Sequence, residues 1–176
     1  MNTTHFTRIG IITAAIIAVP FLAMLFTDQV NWTVFDFVFA GGLLFSAGIA
    51  FDVVSSKGRT MTYRIAVGIA CLATLVLMWA NAAVGIIGDG PVNAWYGAVP
   101  IVLIVGSFIV RLRAAGMVYV LLAGAATMML IPTIAFLALH PPFEPGVVGV
   151  FLINAFFAAL FAVSAMFFRH AQTTGA

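Results

Sequence analysis

Few side chains in this 176-residue chain could do chemistry, and they are widely spaced. Asp36 and Asp52 are the carboxylates within or bordering a long apolar run, 16 positions apart. On one helix that separation is about 24 Å along the axis and about 160° around it. They cannot act on one substrate as an acid and base pair. Asn81 and Asn154 lie deep in other apolar runs. A carboxamide there must find partners, because an unpaired polar group in hydrocarbon costs several kcal/mol. With Asp36, Trp79, Thr127 and Thr133 they form the candidate ligand- or ion-binding set, a polar vestibule open to the outer side. His140 and Glu144 are ligand-type side chains in "HPPFEP", which reads more simply as a rigid polar turn. No catalytic residue and no metal site are assigned.

Asp36 also has a structural reading. Thr33 followed by Asp36 fits the capping box, [ST]-x-x-[DE] ahead of an apolar run. Thr33 would cover one orphan amide of the first turn, and the carboxylate would reach back to another. The acid stands at the positive end of the helix dipole and about 5 Å below the boundary at 1.5 Å per residue. Its insertion cost is then well below that of a charge at a span centre. Asp52 is expected to answer Lys57, Arg59 or Arg64.

The elements that carry these residues follow from composition. The chain is 64% hydrophobic and 7% charged, against roughly a quarter charged in a soluble domain. A soluble fold of this size could not cover that much apolar surface. A span needs about 20 apolar residues, and six segments qualify, at about 9–26, 33–53, 65–88, 95–110, 117–139 and 146–168. The connections are too short for a further domain. The expectation is an all-α, single six-helix transmembrane domain over 1–176. Arg8, Lys57, Arg59, Arg64, Arg111, Arg113 and Arg169 then all fall on one side, which the positive-inside rule makes the cytoplasm, with both termini. Asp28, Asp89 and Glu144 fall in the opposite loops. The sequence pI near 9.1 reflects this bias and no nucleic-acid partner, which would want a clustered basic face. The first span reads as a retained helix, since "AVPFLAMLFTDQV" has no small-residue cleavage site.

Several chemistries are disfavoured. The only lysine, Lys57, is in a loop, where it could not hold a retinal Schiff base. His5, His140 and His170 lie in tails or at a helix end, poorly placed as haem ligands. "GIIGDG" has no strand before it, so it is no dinucleotide fingerprint. Cys71 is alone, which excludes an internal disulfide. No cofactor is expected. Pro20, Pro100 and Pro132 free the carbonyls of Ile16, Tyr96 and Met128, to which Asn81 and Asn154 could donate. Trp32, Trp95 and Tyr96 mark the outer boundary, and Tyr63 and Tyr119 the inner one. Small residues at Gly42, Ser46 and Ala50, and at Ala66, Ala70 and Thr74, allow close helix packing. Phe151, Phe156, Phe157, Phe161, Phe167 and Phe168 surround the last helix, which suits lipid or another membrane subunit.

From about residue 25 to 125, "FTDQVNWTVFDFVFAGGLLFSAGIAFDVV" and "MWANAAVGIIGDGPVNAWYGAVPIVLIVGSFIVRLRAAGM" carry W-T-x-F-D-F and N-x-A-V-G-I-I-G elements. In these the chain resembles a family of small multi-pass inner-membrane proteins of bacteria with no assigned activity. The resemblance implies a bacterial inner membrane and a self-contained bundle, and it transfers no catalytic residue. Three readings of function stay open, in this order. The chain is a non-catalytic membrane component, with lipids and another membrane protein or a second copy as partners. Alternatively it is a small permease or solute-binding protein using Asp36, Asn81 and Asn154. Or it is an enzyme acting on a lipid-soluble substrate, with Asp36 as acid or base.

Overall fold

The computed structural model describes residues 3–58, 60–141, 143, 144 and 146–174. Arg59, Pro142 and Pro145, which enter the readings above, lie outside the described residues. The elements are α1 (Thr3–Phe26), α2 (Val34–Ser55), α3 (Met61–Val84), a 3-10 segment (Pro91–Gly97), α4 (Ala98–Ile109), α5 (Ala114–Ile134), a π-helical turn (Ala135–Leu139) and α6 (Val147–Thr174). Six helical stretches are long and apolar enough to cross a membrane, and no strand occurs among the described residues. The chain is therefore a multi-pass helical membrane protein, as its hydropathy requires.

Helix ends differ from the expected spans where local hydrogen bonding outweighs apolarity. α3 was expected to run to residue 88 but stops at Val84. Gly85 adopts φ +68°, its N–H bonding the Asn81 carbonyl oxygen at 3.2 Å. A Cβ at Gly85 would sit 2.8 Å from Asn93 Nδ2 and closer still to the Gly88 carbonyl oxygen. Glycine is what fits such a left-handed, crowded cap. The fourth stretch opens as a 3-10 segment with Pro91 in its first turn, so Pro100 lies near the start of α4 and breaks no long helix. In α5, Pro132 cannot donate to the Met128 carbonyl oxygen. The chain then widens into the π turn, closed by a 2.9 Å bond from the His140 N–H to the Ala135 carbonyl oxygen.

Packing divides the chain into two compact units, Met1–Val53 and Val54–Ala176. In the first, α1 and α2 run antiparallel. His5 Nδ1 lies 2.8 Å from Asp52 Oδ1, Ile9 packs on Gly48, and the Phe21 and Phe37 ring centroids are 6.3 Å apart. Asp52 thus has His5 within hydrogen-bond distance, and Arg59, one of its expected partners, lies outside the described residues. α1 buries none of its residues, and Gly42, Ser46 and Ala50 of α2 are exposed.

In the second unit α6 packs on α3 and α5, and α4 packs on α5. The inward seam of α6 is Val150, Asn154, Phe157, Phe161, Ser164 and Phe168, alternating steps of four and three along one face. Phe157, Phe161 and Phe168 therefore fill the core instead of facing lipid, whereas Phe156 is 58% exposed. Fully buried Ala66 lets α3 approach α6 closely enough for Ser164 Oγ to donate to its carbonyl oxygen at 2.7 Å. Gly106 faces Val120 and Gly124 faces Leu103 across the α4–α5 contact, so closely that a further carbon at either glycine would press on that side chain.

Candidate functional site

Asp36 belongs to the first unit, and its carboxylate completes the expected capping box. Its Oδ2 accepts from the Thr33 N–H at 2.7 Å and from Thr33 Oγ1 at 2.8 Å, while the Asp36 N–H points to Thr33 Oγ1 at 3.4 Å. The first turn of α2 is thus closed from both directions. Thr33→Ala is expected to cost about 1 kcal/mol of stability. Asp36→Asn should cost less, because an amide oxygen still accepts from the Thr33 N–H. Thermal unfolding of both variants in the same detergent checks the order, and an Asp36→Asn loss exceeding that of Thr33→Ala would contradict it.

The other five candidates belong to the second unit. Thr127 Oγ1 donates to the Ala123 carbonyl oxygen at 2.9 Å, and Thr133 Oγ1 to that of Met129 at 2.7 Å. Both hydroxyls therefore bond their own helix, the usual local solution in an apolar environment. Trp79 is 37% exposed.

Asn81 and Asn154 are joined through one short piece of chain, the 3-10 segment. Asn81 Nδ2 donates to the Asn93 carbonyl oxygen at 3.0 Å. Asn154 and Tyr96 are both fully buried and face each other. The Tyr96 hydroxyl lies 3.0 Å from Asn154 Oδ1 and 2.9 Å from Nδ2, which also donates to the Val150 carbonyl oxygen at 2.8 Å. Neither amide thus donates to a carbonyl freed by proline. The α6 backbone and a tyrosine serve Asn154, and the returning loop serves Asn81. Tyr96 turns inward, although its position suggested a boundary aromatic.

Asn93 organises this region. Its Oδ1 accepts from the Ile86 and Ile87 N–H groups at 2.9 and 3.0 Å, its Nδ2 donates to the Gly88 carbonyl oxygen at 2.5 Å, and its own N–H reaches the Gly90 carbonyl oxygen at 3.3 Å. The loop it holds turns Ile86 and Ile87 into the core at 2% and 1% exposure. Asn93 and Tyr96 are the residues that sequence reasoning missed. An asparagine among glycines and a proline is a turn signal in "GDGPVNAWYG", but which amides it serves depends on how the loop folds back.

Among the described residues, Asn81 Oδ1 is the one buried side-chain oxygen or nitrogen without a hydrogen-bond partner. It can accept up to two bonds from N–H or O–H groups. The arrangement joins α3, the 3-10 segment and α6 through neutral amides and a phenol. Among the described residues, no group of three or more His, Cys, Asp or Glu could hold a metal ion.

This is an integral membrane bundle with a buried amide–phenol strip across its second unit. No family model matches the chain, and comparisons with curated proteins and with solved structures find no match.

Proposed function

We propose that this protein is a non-catalytic component of a bacterial inner membrane, a helical bundle that serves as a partner subunit in a larger assembly. In this reading both termini and the basic end face the cytoplasm, as the positive-inside rule favours. The family resemblance in the Trp32–Phe37 and Asn81–Gly88 elements supports the bacterial setting. The observation that carries the reading is the use of the polar side chains. Asp36 closes a helix end, Asn154 is tied to Tyr96 and Val150, and Thr127 and Thr133 bond their own helices. These groups are satisfied within the fold, and the long apolar exterior is left for neighbours within the membrane. α1 in particular buries no residue.

Extraction of the full chain in native lipid, followed by mass spectrometry of what stays bound, tests this. A stoichiometric protein partner, or a second copy, is the expected result. Recovery of a monomer carrying a polar small molecule would overturn it in favour of a second reading, a small permease or solute-binding protein. The buried, unpartnered Asn81 Oδ1 favours that alternative. In that case Asn81→Leu should abolish retention of the molecule.

A further inference from the structure

The second unit segregates its charge along its length. Tyr63 on α3 donates from its hydroxyl to the Leu112 carbonyl oxygen at 2.7 Å, and its ring meets Phe168 edge-on at 4.9 Å between centroids. Each of these three residues is flanked by arginine in the sequence: Arg64, Arg111 with Arg113, and Arg169. The Tyr63 contacts therefore bring four arginines, from three separate parts of the chain, to the same end of the unit. All four side chains are exposed, and none forms an ion pair among the described residues. The acids of this unit, Asp89 and Glu144, precede the 3-10 segment and α6, at the opposite ends of those helices. Among the described residues, no carboxylate of the unit answers the arginines.

Two further features suit this end to a ligand with an anionic head and an apolar body. The turn after α4 holds Arg111 and Leu112 at φ 53° and 57°, the left-handed region that costs a non-glycine residue about 1–2 kcal/mol. Bonds from the Arg111 and Leu112 N–H groups to the Phe108 and Ser107 carbonyl oxygens, and the Tyr63 hydroxyl on Leu112, hold that conformation. The arginines thus project from a fixed turn. On the outward face of α6 at the same end, turned away from Tyr63, an open groove of about 490 Å³ is lined by Met166 and Phe167 beside Arg169, His170 and Thr173. Apolar side chains lie next to cationic and hydroxyl ones there, as acyl chain lies next to headgroup in a lipid.

We propose that this end of the second unit is a binding site for an anionic phospholipid. Arg169 engages the headgroup phosphate, which a guanidinium bonds in bidentate fashion, the other arginines of this end add to the positive field that draws it, and the acyl chain lies along Met166 and Phe167. The site is independent of whether the bundle serves as a partner subunit. Its occupant comes from the surrounding bilayer.

The test uses the full chain in neutral detergent, with cardiolipin, phosphatidylglycerol or phosphatidylcholine added and lipid retention read by native mass spectrometry. Preferential retention of the two anionic lipids is expected, falling steeply as salt is raised. Arg111→Gln, Arg113→Gln and Arg169→Gln together should weaken that retention about a hundredfold, at about fivefold per arginine. Phosphatidylcholine binding should not change, which also reports that the variant is folded. Tyr63→Phe retains every charge but releases the Leu112 carbonyl, and should lower anionic retention on its own. Equal retention of all three lipids would overturn the proposal. So would a triple variant that still prefers cardiolipin, or displacement of lipid by millimolar inorganic phosphate, which would make the site one for free anions.

Discussion

Asn93→Ala is expected to unfold the connection between α3 and α4 and to destabilise the protein by about 3–5 kcal/mol. The side chain accepts from two backbone N–H groups and donates to one carbonyl. Each such bond contributes about 1 kcal/mol, and a buried group left unpaired costs about 1–3 kcal/mol. The loss extends to Asn81, whose Nδ2 bonds the Asn93 carbonyl oxygen only while the loop folds back. Ile86 and Ile87 would lose their places in the core with it. Asn93→Asp keeps the acceptor and replaces the donor toward Gly88 with a carboxylate oxygen, so its effect should be intermediate. Hydrogen exchange of the Ile86 and Ile87 amides, with thermal unfolding in detergent, measures both variants. Protected amides and an unchanged midpoint in Asn93→Ala would show that the asparagine does not organise the loop.

The second large effect concerns Tyr96 and Asn154, which are fully buried and mutually dependent. Asn154→Leu strands the Tyr96 hydroxyl in the core, at a cost of about 2 kcal/mol. Tyr96→Phe leaves Asn154 Oδ1 without its donor but spares the bond to Val150, and should cost about 1 kcal/mol. The double variant removes both polar partners, so its cost should fall below the sum of the single costs by about 1 kcal/mol, within the range for interhelical bonds in membranes. Unfolding of the two single variants and the double variant closes the cycle. Strict additivity would mean that the two side chains do not act as a pair. The cycle also bears on function: if binding of a polar solute survives Asn154→Leu, the solute reading keeps only Asn81.

The capping box at Thr33 was legible because its partners are three residues apart, and local geometry alone brings them together. The candidate asparagines were legible as groups that need partners, but their partners were not. Asn154 finds Tyr96 from 58 positions away, across the α6–3-10 contact. Asn81 finds Asn93 from 12 positions away, through a loop whose path depends on the left-handed Gly85. The same limit applies to Phe157, Phe161 and Phe168, which sequence reasoning could not distinguish from the exposed Phe156.

By itself the sequence determined that this chain is a set of six apolar helices, because backbone polar groups in lipid must be satisfied within each segment and length sets how many segments fit. It also determined where the charges lie along the chain. Tertiary structure alone decided which side of each helix meets protein and which meets lipid. A leucine or phenylalanine has nearly the same environment against a neighbouring helix as against an acyl chain, so hydrophobicity carries no facing signal here. Facing is set instead by shape and by a few polar bonds: Ala66 under Ser164, Gly124 against Leu103, Asn154 on Tyr96 and Tyr63 on Leu112.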